Sequence, residues 1–240
     1  MAQFQTLTAR LLESTALSEY TKHLEFEVCD VPRFAFVPGQ WLSVKAETPN
    51  GEEITRAYSI ASPSSGNGRF AFCLNQVQDG FMSNHLCDLA EGDEITFQGP
   101  FGSFILRPPM LDTIFIATGT GIAPFRSMLH WLLADKTRHE GRQVWLLFGS
   151  RYEQDIYYRE EFEGLGQEHS NFHFLPTLSR GGPEWNGLRG YVQEHVPGIV
   201  AARSDMHAYI CGLDKMVSAN RNLLKSLGWD RKQILYEKYD

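Results

Sequence analysis

The rhythm of hydrophobic and polar positions changes once along the chain, near residue 109. From Gln3 to about Leu106, short apolar and β-branched runs alternate with turn formers: Leu24–Cys29, Trp41–Ala46, Ile54–Ile60, Phe70–Val77 and Glu94–Phe97. The breaks are Val37-Pro38-Gly39, Thr48-Pro49-Asn50-Gly51 and Ser62 through Gly68, where Pro, Asn and Gly supply the backbone angles of tight turns. Such a series predicts an antiparallel barrel, with one helical interruption at Ser83–Leu89. After Arg107-Pro108-Pro109 the pattern becomes strand then helix. Thr113–Ala117, Val144–Phe148, Phe172–Leu178 and Ala208–Cys211 are continuous apolar runs of the kind buried parallel strands display. Within Ala123–Ala134, Phe125, Leu129, Leu132 and Leu133 fall on one helical face. The expected fold is therefore two domains: residues 1–109 an antiparallel β-barrel, and residues 110–240 an α/β open parallel sheet covered on both sides.

Composition narrows the function. The 240 residues are 42% hydrophobic and 21% charged, an ordinary globular mixture that can bury a core. A net charge of −7 excludes a general nucleic-acid binder, so any phosphate site must be a local arginine cluster. No stretch approaches about 18 consecutive apolar residues, and Met1 to Arg10 lacks the basic start and apolar centre of a signal peptide. A cytoplasmic protein without membrane insertion is expected. Cys29, Cys73, Cys87 and Cys211 form neither a CxxC pair nor a cluster-binding run, so no metal centre is expected. Cys29, Cys73 and Cys87 are read as small buried hydrophobes.

Phosphate chemistry is concentrated at strand ends. The strand at Ile114–Ala117 runs into Thr118-Gly119-Thr120-Gly121-Ile122-Ala123-Pro124 and then into the amphipathic helix. Glycines at such a turn let backbone amides approach a pyrophosphate, whose charge is favoured at a helix N-terminus; a tight structural turn is the plainer alternative. Arg56 and Tyr58, two apart on a strand, share one face. A guanidinium suits a diphosphate and a tyrosine ring offers a flat surface for a flavin, although a surface ion pair and a core aromatic fit these two equally. Gly80-Phe81-Met82-Ser83 opens the helix of this half with free amides and a hydroxyl for a second phosphate, or simply caps it. Ser150-Arg151 and Ser179-Arg180 stand at carboxyl ends of strands, and Arg189 precedes a short helix. Together the three arginines make a trap for a 2′-phosphate, unless they pair with Glu153, Glu160 or Glu184.

The ordered segments Arg56-Ala57-Tyr58-Ser59, Gly80-Phe81-Met82-Ser83, Gly119 through Pro124, Cys211-Gly212-Leu213-Asp214-Lys215-Met216 and Tyr236-Glu237-Lys238-Tyr239 resemble the ferredoxin–NADP reductase family over nearly the whole chain. The resemblance implies a Greek-key FAD-binding barrel followed by an NADP-binding domain. It gives Arg56 the FAD pyrophosphate, Tyr58 the flavin ring and Ser59 the flavin N5. The second phosphate element, Gly80 to Ser83, favours FAD over FMN. Thr118, Gly119, Thr120 and Gly121 would hold the pyridine dinucleotide, with Arg151, Ser179, Arg180 and Arg189 at the 2′-phosphate of NADP(H). Ser59, Cys211, Glu237 and Tyr239 would surround the point of hydride transfer, Cys211 as a neutral packing group and Tyr239 as a stacking ring. Asp240 after Tyr239 departs from the plant-type pattern, which puts flat stacking in question. The implied activity moves a hydride between NADP(H) and FAD and single electrons to a ferredoxin or flavodoxin, by a monomer, with Lys22, Lys45 or Lys238 near the docking surface. Two alternatives stand beside it: the flavin-reductase component of an oxygenase system, and a noncatalytic nucleotide-binding regulator.

Overall fold

The computed structural model describes residues 5–64, 66–201, 203 and 205–239. In the first half, strands β1 (Thr6–Ser18), β2 (Thr21–Val28), β3 (Trp41–Glu47), β4 (Glu53–Ser59), β5 (Arg69–Asn75) and β6 (Glu94–Phe101) form one sheet, with helix α1 (Phe81–Cys87) between β5 and β6. Its order is β4-β3-β6-β1-β2-β5, and every pairing is antiparallel. The ends of this sheet meet at a bridge between Ile60 and Phe72, beside a bond from Ala61 N to Ala71 O of 2.8 Å. Alternation turns Leu7, Ala9, Leu11, Leu24, Phe26, Val28, Leu42, Val44, Phe70, Phe72, Ile95 and Phe97 inward. Phe26, Phe34, Phe70, Phe72 and Phe97 pack ring on ring, with centroids 5.1 to 5.9 Å apart. Burying each such side chain stabilises by about 1.5–3 kcal/mol.

Two expectations for this half need revision. The 13-residue β1 was not among the expected strands; register shifts between Leu11 and Glu13 and between Ala16 and Ser18 break the period-two pattern that would have revealed it. Cys29 is exposed, whereas Cys73 and Cys87 are buried as expected. The reason is parity: Leu24, Phe26 and Val28 face the core, and β2 stops before residue 29.

In the second half, strands β7 (Asp112–Thr118), β8 (Val144–Ser150), β9 (Phe172–Leu178), β10 (Leu188–Arg189), β11 (Met206–Leu213) and β12 (Ile234–Tyr239) form a wholly parallel sheet of order β10-β9-β8-β7-β11-β12. The helices are α2 (Ala123–Leu133), α3 (Lys136–His139), α4 (Arg159–Glu168), α5 (Val192–Val200) and α6 (Asp214–Ser226). The parallel sheet and the antiparallel one before it are the architecture that the hydrophobic rhythm predicts. Pro176 is tolerated inside β9 because β10 reaches only Thr177 and Leu178, leaving the strand unpaired on one side there.

The chain divides into two compact units, Met1–Leu106 with Ala123–Trp131, and Arg107–Ile122 with Leu132–Asp240. Helix α2 belongs mainly to the first: Phe125 packs against Phe104 at 5.9 Å, and Arg126 Nη1 donates to Ala61 O at 3.0 Å. Among the described residues no helix is long and apolar enough to cross a membrane.

Candidate functional site

The chain builds the parallel sheet outward from β7 through β8, β9 and β10, then returns to the other side of β7 for β11 and β12. The order in which strands are added thus reverses between β7 and β11, and open α/β sheets bind ligands beyond the carboxyl ends of strands at such a point. Here a glycine stands at or next to each of three strand ends: Gly119 after β7, Gly149 in β8 and Gly212 in β11. Gly119, at φ 55°, opens a 3₁₀ turn spanning Gly119–Ile122, and a Cβ on it would meet nothing within 4 Å, so a ligand can approach the backbone. Gly121 has the opposite surroundings: its Cβ would lie 2.3 Å from Cys211 O. Gly149 and Gly212 close on Thr118 from both sides; added Cβ atoms would stand 3.0 Å from its methyl and 2.7 Å from its hydroxyl. One glycine therefore faces open space, while the other three let β7, β8 and β11 come together. Thr118 and Thr120 lie on the same segment, Thr118 as the last residue of β7 and Thr120 within the turn.

The two Ser-Arg pairs are brought side by side. Beyond the β8–β9 ladder, Ser179 N donates to Ser150 O at 3.0 Å and Arg180 N to Arg151 O at 2.9 Å. Both arginines are exposed. Arg180 Nη1 donates to the Tyr152 hydroxyl at 3.3 Å, with its guanidinium carbon 6.0 Å from the centre of that ring. Sequence reasoning missed Tyr152, although an aromatic directly after Ser-Arg was the available signal. Arg189 is differently placed: it donates to the carbonyls of Gly181 at 2.9 Å, Gly182 at 2.8 Å and Trp185 at 2.6 Å, and so organises a loop. Glu153 is engaged by Arg159 at 2.6 Å.

Cys211 and Glu237 are register partners on β11 and β12, and Tyr239 follows two residues later opposite Leu213. Burial pushes the Cys211 thiol well above its ordinary range, the Glu237 carboxylate adds to this, and the neighbouring Tyr239 side chain opposes it. A thiol so placed is neutral near pH 7 and cannot act as a nucleophile. Asp240 lies outside the described residues.

In the first unit, β4 pairs only with β3 and forms an edge of the sheet. Arg56 is exposed on it, with Nη1 donating to Thr55 O at 2.8 Å. Tyr58, on the same face, rests on Phe72 at 5.4 Å and keeps part of its ring open. Burial pushes its hydroxyl up to about 12, helped by Cys87 and opposed by Arg56. Ala57 is exposed between them and Ser59 is buried opposite Trp41. A charged fork and a half-open ring on one edge strand fit a flavin and its diphosphate. At α1, the helix ladder begins with Asn84 N to Gly80 O at 3.1 Å, leaving the amides of Phe81, Met82 and Ser83 outside it. Ser83 Oγ accepts from Val77 N at 3.1 Å and donates to Gly80 O at 3.0 Å, so this hydroxyl braces the turn. The three lysines considered for docking all have internal partners: Lys22 donates to Cys87 O at 2.6 Å, Lys45 pairs with Glu53 at 3.0 Å, and Lys238 pairs with Asp214.

Residues 8–105 match the oxidoreductase FAD-binding domain, and residues 115–222 the oxidoreductase NAD-binding domain. The whole chain aligns with the whole of ferredoxin–NADP reductase B from Sorangium cellulosum (strain So ce56), at 41% identity over 248 residues. The chain belongs to the ferredoxin–NADP reductase family. The chain is also similar to NADH-cytochrome b5 reductase 1 of Mortierella alpina, 30% identical over 91% of this chain and 72% of that protein's length. In fold, the chain is similar to a crystal structure of a ferredoxin NADP+ reductase from Neisseria gonorrhoeae with bound FAD and NADP, with a TM-score of 0.85 and 21% identity, covering 98% of this chain and 99% of that one. As in the reductase family at large, this chain is an oxidoreductase with one FAD-binding and one NAD-binding domain.

Proposed function

We propose that the protein is a ferredoxin–NADP reductase that prefers NADPH, with FAD held by residues 1–109 and the pyridine nucleotide by residues 110–240. The observation that carries the coenzyme preference is the alignment of Ser150-Arg151 with Ser179-Arg180 at the carboxyl edge of the parallel sheet. Two exposed guanidiniums on adjacent strands, in a chain of net charge −7, make a local cationic site for a 2′-phosphate. FAD, when bound, supplies the exchange between a two-electron hydride donor and a one-electron acceptor. The residues do the rest. Arg56 neutralises the flavin diphosphate, and Tyr58 carries the ring on its open face. The backbone at Gly119 admits the nicotinamide dinucleotide, while Arg151 and Arg180 take its 2′-phosphate; Arg189 supports them by fixing the neighbouring loop. Ser59 orients the flavin, and on the nicotinamide side Glu237 and Tyr239 orient the coenzyme ring, with Cys211 packed as a neutral thiol on the neighbouring strand. The one-electron partner is a ferredoxin or flavodoxin, met by a monomer in the cytoplasm.

Anaerobic mixing of the FAD-loaded protein with NADPH should bleach the flavin, and a ferredoxin or flavodoxin should reoxidise it. Replacing Arg180 by Ala removes charge-assisted contacts worth about 1.5–3 kcal/mol, a factor of about ten to a hundred in the KM for NADPH. The KM for NADH should stay nearly unchanged. An equal rise for both coenzymes would refute the assignment of Arg180.

A further inference from the structure

Three cationic side chains converge at the far edge of the parallel sheet, away from the crevice at β7 and β11. Arg221 and Lys225 stand one turn apart on α6, Arg231 precedes β12, and with Ile234 and Tyr236 they line a cavity of about 420 Å³. Ile234 and Tyr236 are at the start of β12, which puts the cavity at the amino ends of the strands, opposite the edge that carries Gly119, Arg151 and Arg180. Two strands, β11 and β7, separate it from β8.

Like charges repel at the spacing of Arg221 and Lys225, and Asp214, which acts on Arg221 through space, makes no ion pair with it. Among the described residues none of the three enters an ion pair. The nearest carboxylates along the chain are committed elsewhere: Asp214 to Lys238 and Ser218, and Asp230 to the backbone amide of Lys232. Lys225 gains from its place in the last turn of α6. Arg221 lies over the Tyr236 ring at 3.6 Å, which fixes its direction without cancelling its charge. Arg231 has neither support. A volume of 420 Å³ equals roughly 14 waters at about 30 Å³ each, room for a diphosphate group and its first contacts.

We propose that this cavity is a second anion site, which binds the diphosphate group of a soluble metabolite through Arg221, Lys225 and Arg231. Two guanidiniums offer planar forks to phosphate oxygens, and the lysine adds a point charge. The assignment is independent of the pyridine-nucleotide reading, because no residue is shared.

The test is calorimetric titration of inorganic pyrophosphate into FAD-loaded protein saturated with NADP+, so that the other phosphate sites are filled. One saturable site is expected. Arg231→Gln, at an exposed position that keeps the Arg221–Tyr236 contact, should weaken it about tenfold, and Arg221→Gln with Arg231→Gln more strongly. NADPH-dependent ferricyanide reduction should be unchanged in both variants, which also checks that they fold. Absence of saturable binding to the wild type, or binding that survives in the double variant, overturns the proposal. So does a double variant that binds pyrophosphate as well as the wild type and loses only affinity for a protein electron carrier, since the cations would then serve an acidic protein surface.

Discussion

Gly119 and Gly121 belong to one turn, yet the structure gives them different tasks, and alanine at each should separate these. At Gly121 the new methyl would sit 2.3 Å from Cys211 O, 2.6 Å from its carbonyl carbon and 2.8 Å from Gly212 Cα. All three are backbone atoms of a central strand, so relief requires moving β11 or the turn. Overpacking of this kind costs about 1–3 kcal/mol, and rigid backbone on the receiving side argues for the upper end. At Gly119 the methyl meets nothing within 4 Å, and only the φ of 55° is penalised, by roughly 1 kcal/mol. Each kcal/mol lowers the melting temperature of a chain this size by about 2–4 °C. Gly121→Ala should therefore melt about 6–12 °C below the wild type and Gly119→Ala about 2–4 °C below it, followed by far-ultraviolet circular dichroism on FAD-loaded protein. Gly119→Ala should in turn weaken NADP+ more than its stability loss suggests, because its methyl fills the open side of the turn. If Gly119→Ala melts lower than Gly121→Ala, the division of labour is wrong.

Other outcomes follow from the same geometry. Arg189→Ala loses three bonds to loop carbonyls and should cost about 1.5–3 kcal/mol, raising the KM values for NADPH and NADH together in steady-state assays; a rise confined to NADPH would return Arg189 to the phosphate trap. Iodoacetamide at neutral pH should label exposed Cys29 and spare Cys211, whose thiol burial pushes up; equal labelling by mass spectrometry contradicts the buried neutral thiol. In flavin-free protein, Tyr58 ionises near 12 against its ordinary 10. The unfolded chain then loses this proton first, so the stabilisation is complete below pH 10 and disappears as pH climbs toward 12. Tyr58→Phe should flatten that alkaline decline in urea midpoints, and an unaltered slope counts against it.

Much of this was legible from residue order. Strands bounded by Pro, Asn and Gly declared themselves, as at β3 and β5, because turns and alternation are local properties. β1 escaped because its bulges shift the inward parity along the strand. β12 was not among the expected strands, since Ile234 and Leu235 are adjacent and both buried, which no two-residue period predicts. At the site, the shared face of Arg56 and Tyr58 was visible from spacing. The role of Arg189 was not: its partners are carbonyls, which every residue has, and only the path of the Gly181–Trp185 loop brings three to one guanidinium. Tyr152 was missed for a related reason, since its meaning comes from Arg180 on the neighbouring strand.

The seam at Ile60 and Phe72 has a consequence for how the barrel breathes. Elsewhere each strand is laced to its neighbour along a ladder, but here the sheet is fastened by a bridge, the bond from Ala61 N to Ala71 O and one from Ala71 N to Ser62 Oγ at 2.9 Å. Local opening starts where the fewest bonds must be given up, so exchange of the Ala61 and Ala71 amides should run ahead of that of the ladder amides. Arg56 and Tyr58 sit on β4 just before it, so the edge that opens at least cost is the one that carries the pair proposed to hold the flavin.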